Sequence, residues 1–270
     1  MLRARILTAI VLIPVIVLVV HLGGWAFLIL LGLLFSLAEM EFCHLVAQDG
    51  FRPQIVFGLL AVWLFLLDAQ YPDLGLLRPS LTAVVLGSLT WQIFHRQGTP
   101  VADWGLTVVG GLYLGLGASF LLLLRNLPEG EWWTMTAVPS IMLADTGAFA
   151  VGKMWGRRRM APFLSPKKTW EGYLAGVVTG GLLTAGLAAL WRLGAGPEAA
   201  IGARHGLWLG LLIAVLAPLG DLAVSMVKRQ VGAKDSSHLF PGHGGALDRV
   251  DSVIWAAIIG YYYVLLCAHP

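Results

Sequence analysis

The sequence predicts an all-α fold: a polytopic integral membrane protein of about nine transmembrane helices with a cytoplasmic-face active site. Three observations predict it. Of 270 residues, 58% are hydrophobic and 12% charged, against roughly 45–50% and 25% in an ordinary soluble domain. Long charge-free runs recur along the whole length, and a single soluble domain could not hide that many. The polar residues are gathered into a few short segments, above all 225–251, SMVKRQVGAKDSSHLFPGHGGALDRVD.

In chain order the apolar runs give spans at 6–22, 24–38, 53–68, 80–94, 106–124, 134–152, 173–191, 206–227 and 252–268. Residues 6–38 carry no formal charge. As one helix they would be about 50 Å long at 1.5 Å per residue, well beyond a ~30 Å hydrocarbon core. The stretch therefore splits at Gly23 and Gly24. Arg3 and Arg5 before an apolar run imitate a signal peptide, but no A-x-A-like cleavage site follows, so an uncleaved anchor is expected. Five spans fall in an N-terminal region, 1–130, and four in a C-terminal catalytic region, 131–270.

Alternating the loops between two sides tests this count. The N-terminal side receives Arg3, Arg5, Arg52, Arg96, Lys153, Arg157, Arg158, Arg159, Lys167, Lys168, Lys228, Arg229, Lys234 and Arg249, which is 14 of the 18 Lys and Arg. Merging the first two spans leaves 12 against 6. The positive-inside rule thus favours nine spans, with the N-terminus cytoplasmic and the C-terminus outside, as in a bacterial inner membrane. A net charge of +3 is too small to argue for nucleic acid. Cys43 and Cys267, near opposite ends, suggest neither a disulfide framework nor a zinc site. A homodimer stays open.

Gly172, Gly176 and Gly180, and separately Gly111 and Gly115, recur every four residues and would let helices approach closely. Three polar constellations remain. In DTGAFAVGKMWG, 145–156, Asp145 lies inside an apolar span, where a carboxylate is expensive and functional by default, an ion pair being the alternative. In SPKKTWEG, 165–172, Ser165 and Pro166 offer a turn and Thr169 a helix start. Lys167 and Lys168 suit phosphate oxygens, or serve only as orientation determinants or anionic-lipid contacts. Ser165 and Glu171 around them favour a site. The third constellation runs from PLGD, 218–221, to Asp251. Pro218 and Gly220 loosen a helix beside Asp221, a break tolerated where backbone faces protein or a water-filled cavity. Asp221, Ser225 and Lys228 then share one helical face. Asp248 and Asp251 open the last helix, where negative charge is favoured. The PGHGG turn lets backbone approach a ligand, with His243 as a ligand contact or acid. Aspartates without cysteine suit a hard cation, Mg²⁺ before Zn²⁺. Clustered Lys and Arg suit the polyphosphate that accompanies it. A soluble nucleotide and a membrane lipid are the substrate classes this pattern fits.

The segment S-x-x-K-R-x4-K-D-x-S-x2-F-P-x-H-G-G-x-x-D-R-x-D, Ser225 to Asp251, resembles the signature of the phosphatidate cytidylyltransferases, or CDP-diacylglycerol synthases. Asp145 with Gly152, SPKKTWEG, and Gly220 with Asp221 resemble that family's other blocks in the same order, so the likeness covers roughly the C-terminal half. Two positions depart from it: Ala246, where a larger aliphatic residue is usual, and Phe149, where Tyr is common. The resemblance implies that CTP and phosphatidic acid give CDP-diacylglycerol and pyrophosphate. It implies Asp221, Asp248 and Asp251 as metal ligands, with Asp145 a weaker fourth, for Mg²⁺ and room for a second cation. Lys167, Lys168, Lys228, Arg229, Lys234 and Arg249 would hold phosphates of CTP or of the lipid. Ser165, Glu171 and Ser225 line the substrate site, and His243 joins the catalytic set. No general base is required, because a phosphate monoester is already anionic. Two other readings are a CTP-dependent kinase of a lipid alcohol, which would need a base, and a secondary transporter using Asp145 and Asp221 at the midplane. The transporter gives no reason for the basic Gly-rich segment.

Overall fold

The computed structural model describes residues 13–95, 98–237 and 244–268. Ten helices follow in order: α1 (Ile13–Leu22), α2 (Gly24–Ala47), α3 (Ile55–Gln70), α4 (Leu77–Phe94), α5 (Pro100–Asn126), α6 (Gly130–Trp155), α7 (Trp170–Ala195), α8 (Ala203–Leu216), α9 (Pro218–Gln230) and α10 (Leu247–Tyr263). Between α6 and α7 lies one antiparallel hairpin, β1 (Arg159–Ala161) and β2 (Ser165–Thr169), with Arg159 opposite Thr169 and Ala161 opposite Ser165. The chain is an all-α integral membrane protein, with eight strand residues in this hairpin among the described residues.

The break between α1 and α2 falls where the sequence places it. Gly23 and Gly24 have φ of 61° and 49°, a left-handed conformation that costs a glycine nothing and most other residues a good deal. Among the described residues six helical stretches are long and apolar enough to cross a bilayer: Gly24–Ala47, Pro100–Asn126, Gly130–Trp155, Trp170–Ala195, Ala203–Gln230 and Leu247–Ala268. Each expected apolar run overlaps a helix among the described residues, but Ile55–Gln70 is shorter than a full crossing requires. A count of nine crossings is therefore finer than the structure carries.

Two compact units divide the chain. One takes the residues up to Leu123 together with Met226–Val250; the other takes Leu124–Ser225 and everything from Asp251 on. Of the signature segment, residues 226–237 and 244–250 thus group with the N-terminal helices, although sequence order sets them among the C-terminal ones, while Ser225 and Asp251 fall in the other unit.

In the first unit α2 packs on α3 where Gly32 makes room for the Trp63 ring, whose Nε1 donates to Ser36 Oγ at 3.1 Å. Gly111 and Gly115 bring α5 against Gly58 and Ala61 of α3. In the second unit the α6–α7 contact is set by the glycine repeat. A Cβ on Gly172 would stand 2.7 Å from the Ala148 carbonyl oxygen, one on Gly176 3.0 Å from that of Ala144, and one on Gly180 2.9 Å from the Ala144 Cβ. The expected close packing is present. Two residues on from each glycine, Leu174, Val178 and Leu182 are 61%, 57% and 62% exposed. α7 therefore turns small residues to its neighbours and large apolar ones outward, the reverse of a soluble protein and the order a lipid solvent selects.

Candidate active site

Each unit holds one group of the polar residues that the sequence singles out. In the second unit the basic segment leaves α6 and forms the hairpin. Glu171, in the first turn of α7, accepts the backbone N–H of Arg157 at 3.0 Å and of Arg158 at 3.2 Å. It ties down the start of the hairpin, a structural task that its expected substrate role did not include. Thr169 is the N-cap of α7 and accepts the Gly172 N–H at 3.2 Å, so the expected helix start holds. SPKK is a strand, not a turn. Pro166 is tolerated there because a two-stranded sheet has only edges.

That strand points Lys168 at Asp221, with Nζ 2.5 Å from Oδ2 and the two side chains 29% and 32% exposed. α8 ends at Leu216 and α9 begins at Pro218. The helix break predicted at Pro218 is present, since proline suits a first helical position. Asp221 follows in the first turn of α9, and Ser225 Oγ lies 3.5 Å from its Oδ1. Asp145 on α6 interacts electrostatically with both Lys168 and Asp221. Gly220 lets α9 meet the Asp251 carbonyl, where a side chain would collide. Asp251 itself is 7% exposed. Ser165 begins β2, opposite Ala161, and Lys167 is exposed.

In the first unit Lys228 Nζ donates to Asp248 Oδ1 at 2.6 Å, each side chain only 9% exposed. The other oxygen, Asp248 Oδ2, accepts Ser236 N–H and Ser236 O–H, both at 2.9 Å, and Gly245 N–H at 3.1 Å. Arg229 donates to the Ala233 carbonyl at 2.8 Å, while Lys234, Asp235 and Arg249 are exposed. His243 lies outside the described residues, as do Arg3, Arg5, Arg96 and the C-terminal His269 and Pro270.

Sequence reasoning missed Glu41. The predicted span 24–38 stops short of Glu39 and Glu41, yet α2 continues to Ala47. Glu41 is 8% exposed. It accepts Ser237 O–H at 2.6 Å and Ala246 N–H at 2.9 Å on Oε1, and Ser236 O–H at 2.8 Å and Leu247 N–H at 2.9 Å on Oε2. A carboxylate inside an apolar helix was the signal that could have found it. The two departures from the family pattern are placed as well. Ala246 is fully buried and works through its backbone, whereas Phe149 is 70% exposed with Lys153 Nζ 5.8 Å from its ring.

The donor set suits a hard divalent cation, since every candidate is an oxygen. Among the described residues no three His, Cys, Asp or Glu side chains are grouped to hold a metal. Mg²⁺ does not require such a cage; it commonly takes one or two carboxylates together with substrate phosphates. Asp145 and Asp221, both interacting with Lys168, fit that demand. Asp248 engages both of its oxygens with protein donors.

The fold is that of an integral membrane protein whose polar side chains are gathered in a few places. Residues 3–267 match the model of the cytidylyltransferase family, and the chain belongs to that family. It is 33% identical to the phosphatidate cytidylyltransferase of Synechocystis over 97% of this chain and 96% of that protein. It is 32% identical to the one of Bacillus subtilis over 98% and 97%, and 34% identical to the one of Brucella melitensis over 100% and 95%.

Proposed function

We propose that the protein transfers the cytidylyl group of CTP to phosphatidic acid, giving CDP-diacylglycerol and pyrophosphate for phospholipid synthesis. Its relatives carry that activity in their names and align over nearly their full length. The observation that carries the reading is the partly exposed Lys168–Asp221 pair with Asp145 in electrostatic reach. A phosphate group can take the ammonium from Asp221, because a charge-assisted bond to phosphate replaces the one it breaks.

In the reaction an oxygen of the lipid phosphate attacks the α-phosphorus of CTP. The bond from that phosphorus to the bridging oxygen breaks, and pyrophosphate leaves. Such a transfer is mainly positioning and charge stabilisation. Lys168, with Lys167 beside it on β2, holds phosphate oxygens against the developing charge. Asp221 and Asp145 would hold Mg²⁺, which when bound offsets negative charge on the phosphates. Arg229, Lys234 and Arg249 add exposed cations in the first unit. The distribution of Lys and Arg, 14 against 4, supports nine crossings of a bacterial inner membrane, with the N-terminus cytoplasmic and the C-terminus outside.

Purified protein given phosphatidic acid, Mg²⁺ and CTP radiolabelled at the α-phosphate should place label in the lipid. CTP labelled at the γ-phosphate should leave the lipid unlabelled. Label entering the lipid from the γ-phosphate would identify a kinase, and no label from either would refute an enzyme acting on these substrates.

A further inference from the structure

We propose that Glu41, on an N-terminal helix outside the signature, is a positioning residue for the transfer: it fixes the backbone that presents Asp248 and so the Lys228–Asp248 pair. The inference rests on the function proposed above. Each oxygen of Glu41 accepts one backbone amide and one serine hydroxyl. Four donors thus converge on the Glu41 carboxyl group. The two amides, of Ala246 and Leu247, are those at the start of α10, where unsatisfied N–H groups and the helix dipole favour an anion. Glu41 thus caps α10 from a helix some two hundred residues away in sequence.

Ser236 carries the effect to Asp248. Its hydroxyl lies 2.8 Å from Glu41 Oε2 and 2.9 Å from Asp248 Oδ2, while its N–H donates to that same Asp248 oxygen at 2.9 Å. One hydroxyl proton serves two carboxylates, so a shift in either moves the other. Gly245 closes the arrangement. A side chain there would collide with Glu41 Oε2 and Ser236 Oγ, and its N–H completes the set on Asp248.

Glu41→Gln tests this at constant volume, because its NH₂ must face a backbone N–H on one side. In the full-length protein in detergent, hydrogen exchange at the Ala246 and Leu247 amides should quicken by about tenfold or more, as lost capping opens the first turn. With CTP and phosphatidic acid, kcat should fall at least about tenfold while KM for CTP stays within about threefold, the pattern expected when the Lys228–Asp248 pair is moved without loss of nucleotide binding. A residue that only fills space would move neither readout. Unchanged kcat in folded Glu41→Gln, or a rise in KM alone, overturns the proposal. Should Glu41→Gln fail to fold, Ser236→Ala keeps the two amide bonds by which Glu41 caps α10 and removes only the hydroxyl that Glu41 shares with Asp248. The same fall in kcat is expected, and an unchanged kcat again overturns it. If the wild-type protein forms no CDP-diacylglycerol, the function fails separately, since amide exchange still reports on Glu41.

Discussion

Lys228–Asp248 and Lys168–Asp221 join the same two residue types at almost the same distance, 2.6 and 2.5 Å, in surroundings that could hardly differ more. The first pair is 9% exposed on both sides, and its carboxylate takes three further hydrogen bonds. The second is about one third exposed, with Ser225 at the outer limit of hydrogen-bonding distance. Taking two charges out of water is costly, and removing one partner of a buried pair leaves the other uncompensated. An exposed pair is worth little, because water and salt screen it. The buried pair is therefore part of how the first unit holds its shape. The open pair can exchange its partners for a ligand's, which is what a phosphate-binding lysine must do.

The comparison can be broken at several points. Lys228→Met should bring the largest loss of stability, about 3–5 kcal/mol, by stranding Asp248 in a buried site. Unfolding of the detergent-solubilised protein would measure it, and a loss under ~1 kcal/mol would mean that water reaches Asp248. Lys168→Met should leave stability within about 1 kcal/mol, the value of an exposed pair. Its turnover should fall by about 30-fold or more, as a loss of ~2 kcal/mol of charge stabilisation requires. Steady-state assays with CTP and phosphatidic acid would show this. Thr169→Ala removes the cap of α7 and should cost about 1 kcal/mol, readable as a lower unfolding midpoint with KM for CTP unchanged. Asp235→Asn, at an exposed position, should change turnover by less than about threefold and stability by under ~0.5 kcal/mol.

Much of the second unit was legible in the sequence because its signals are local. Thr169 three residues before Gly172, Pro218 at a helix start, Asp221 one turn before Ser225, and the glycines at 172, 176 and 180 each act within one helix or on its immediate neighbour. The first unit was legible only in part. Asp248 and Lys228 belong to one polar segment, but their anchor is Glu41, 195 residues before Ser236, and no spacing rule connects them. The end of α2 was misread for the same reason. The predicted span ends at residue 38 whereas α2 runs to Ala47, and the donors that satisfy Glu41 in that last stretch come from far along the chain. The hairpin also escaped, because Ser165 and Pro166 read as a turn, while the Glu171 bonds that fix its base depend on backbone amides 13 and 14 residues away.

The central claim is that the two aspartates do different work, and one paired measurement tests it most directly. Asp221→Asn and Asp248→Asn would be prepared in the same detergent, with unfolding free energy and CDP-diacylglycerol formation measured on each. Asp221→Asn should lose about a thousandfold in turnover, corresponding to ~4 kcal/mol of transition-state stabilisation, while its stability moves by less than about 1 kcal/mol. Asp248→Asn should lose turnover and several kcal/mol of stability together. A folded Asp221→Asn with near-normal turnover, or one as destabilised as Asp248→Asn, would contradict the account.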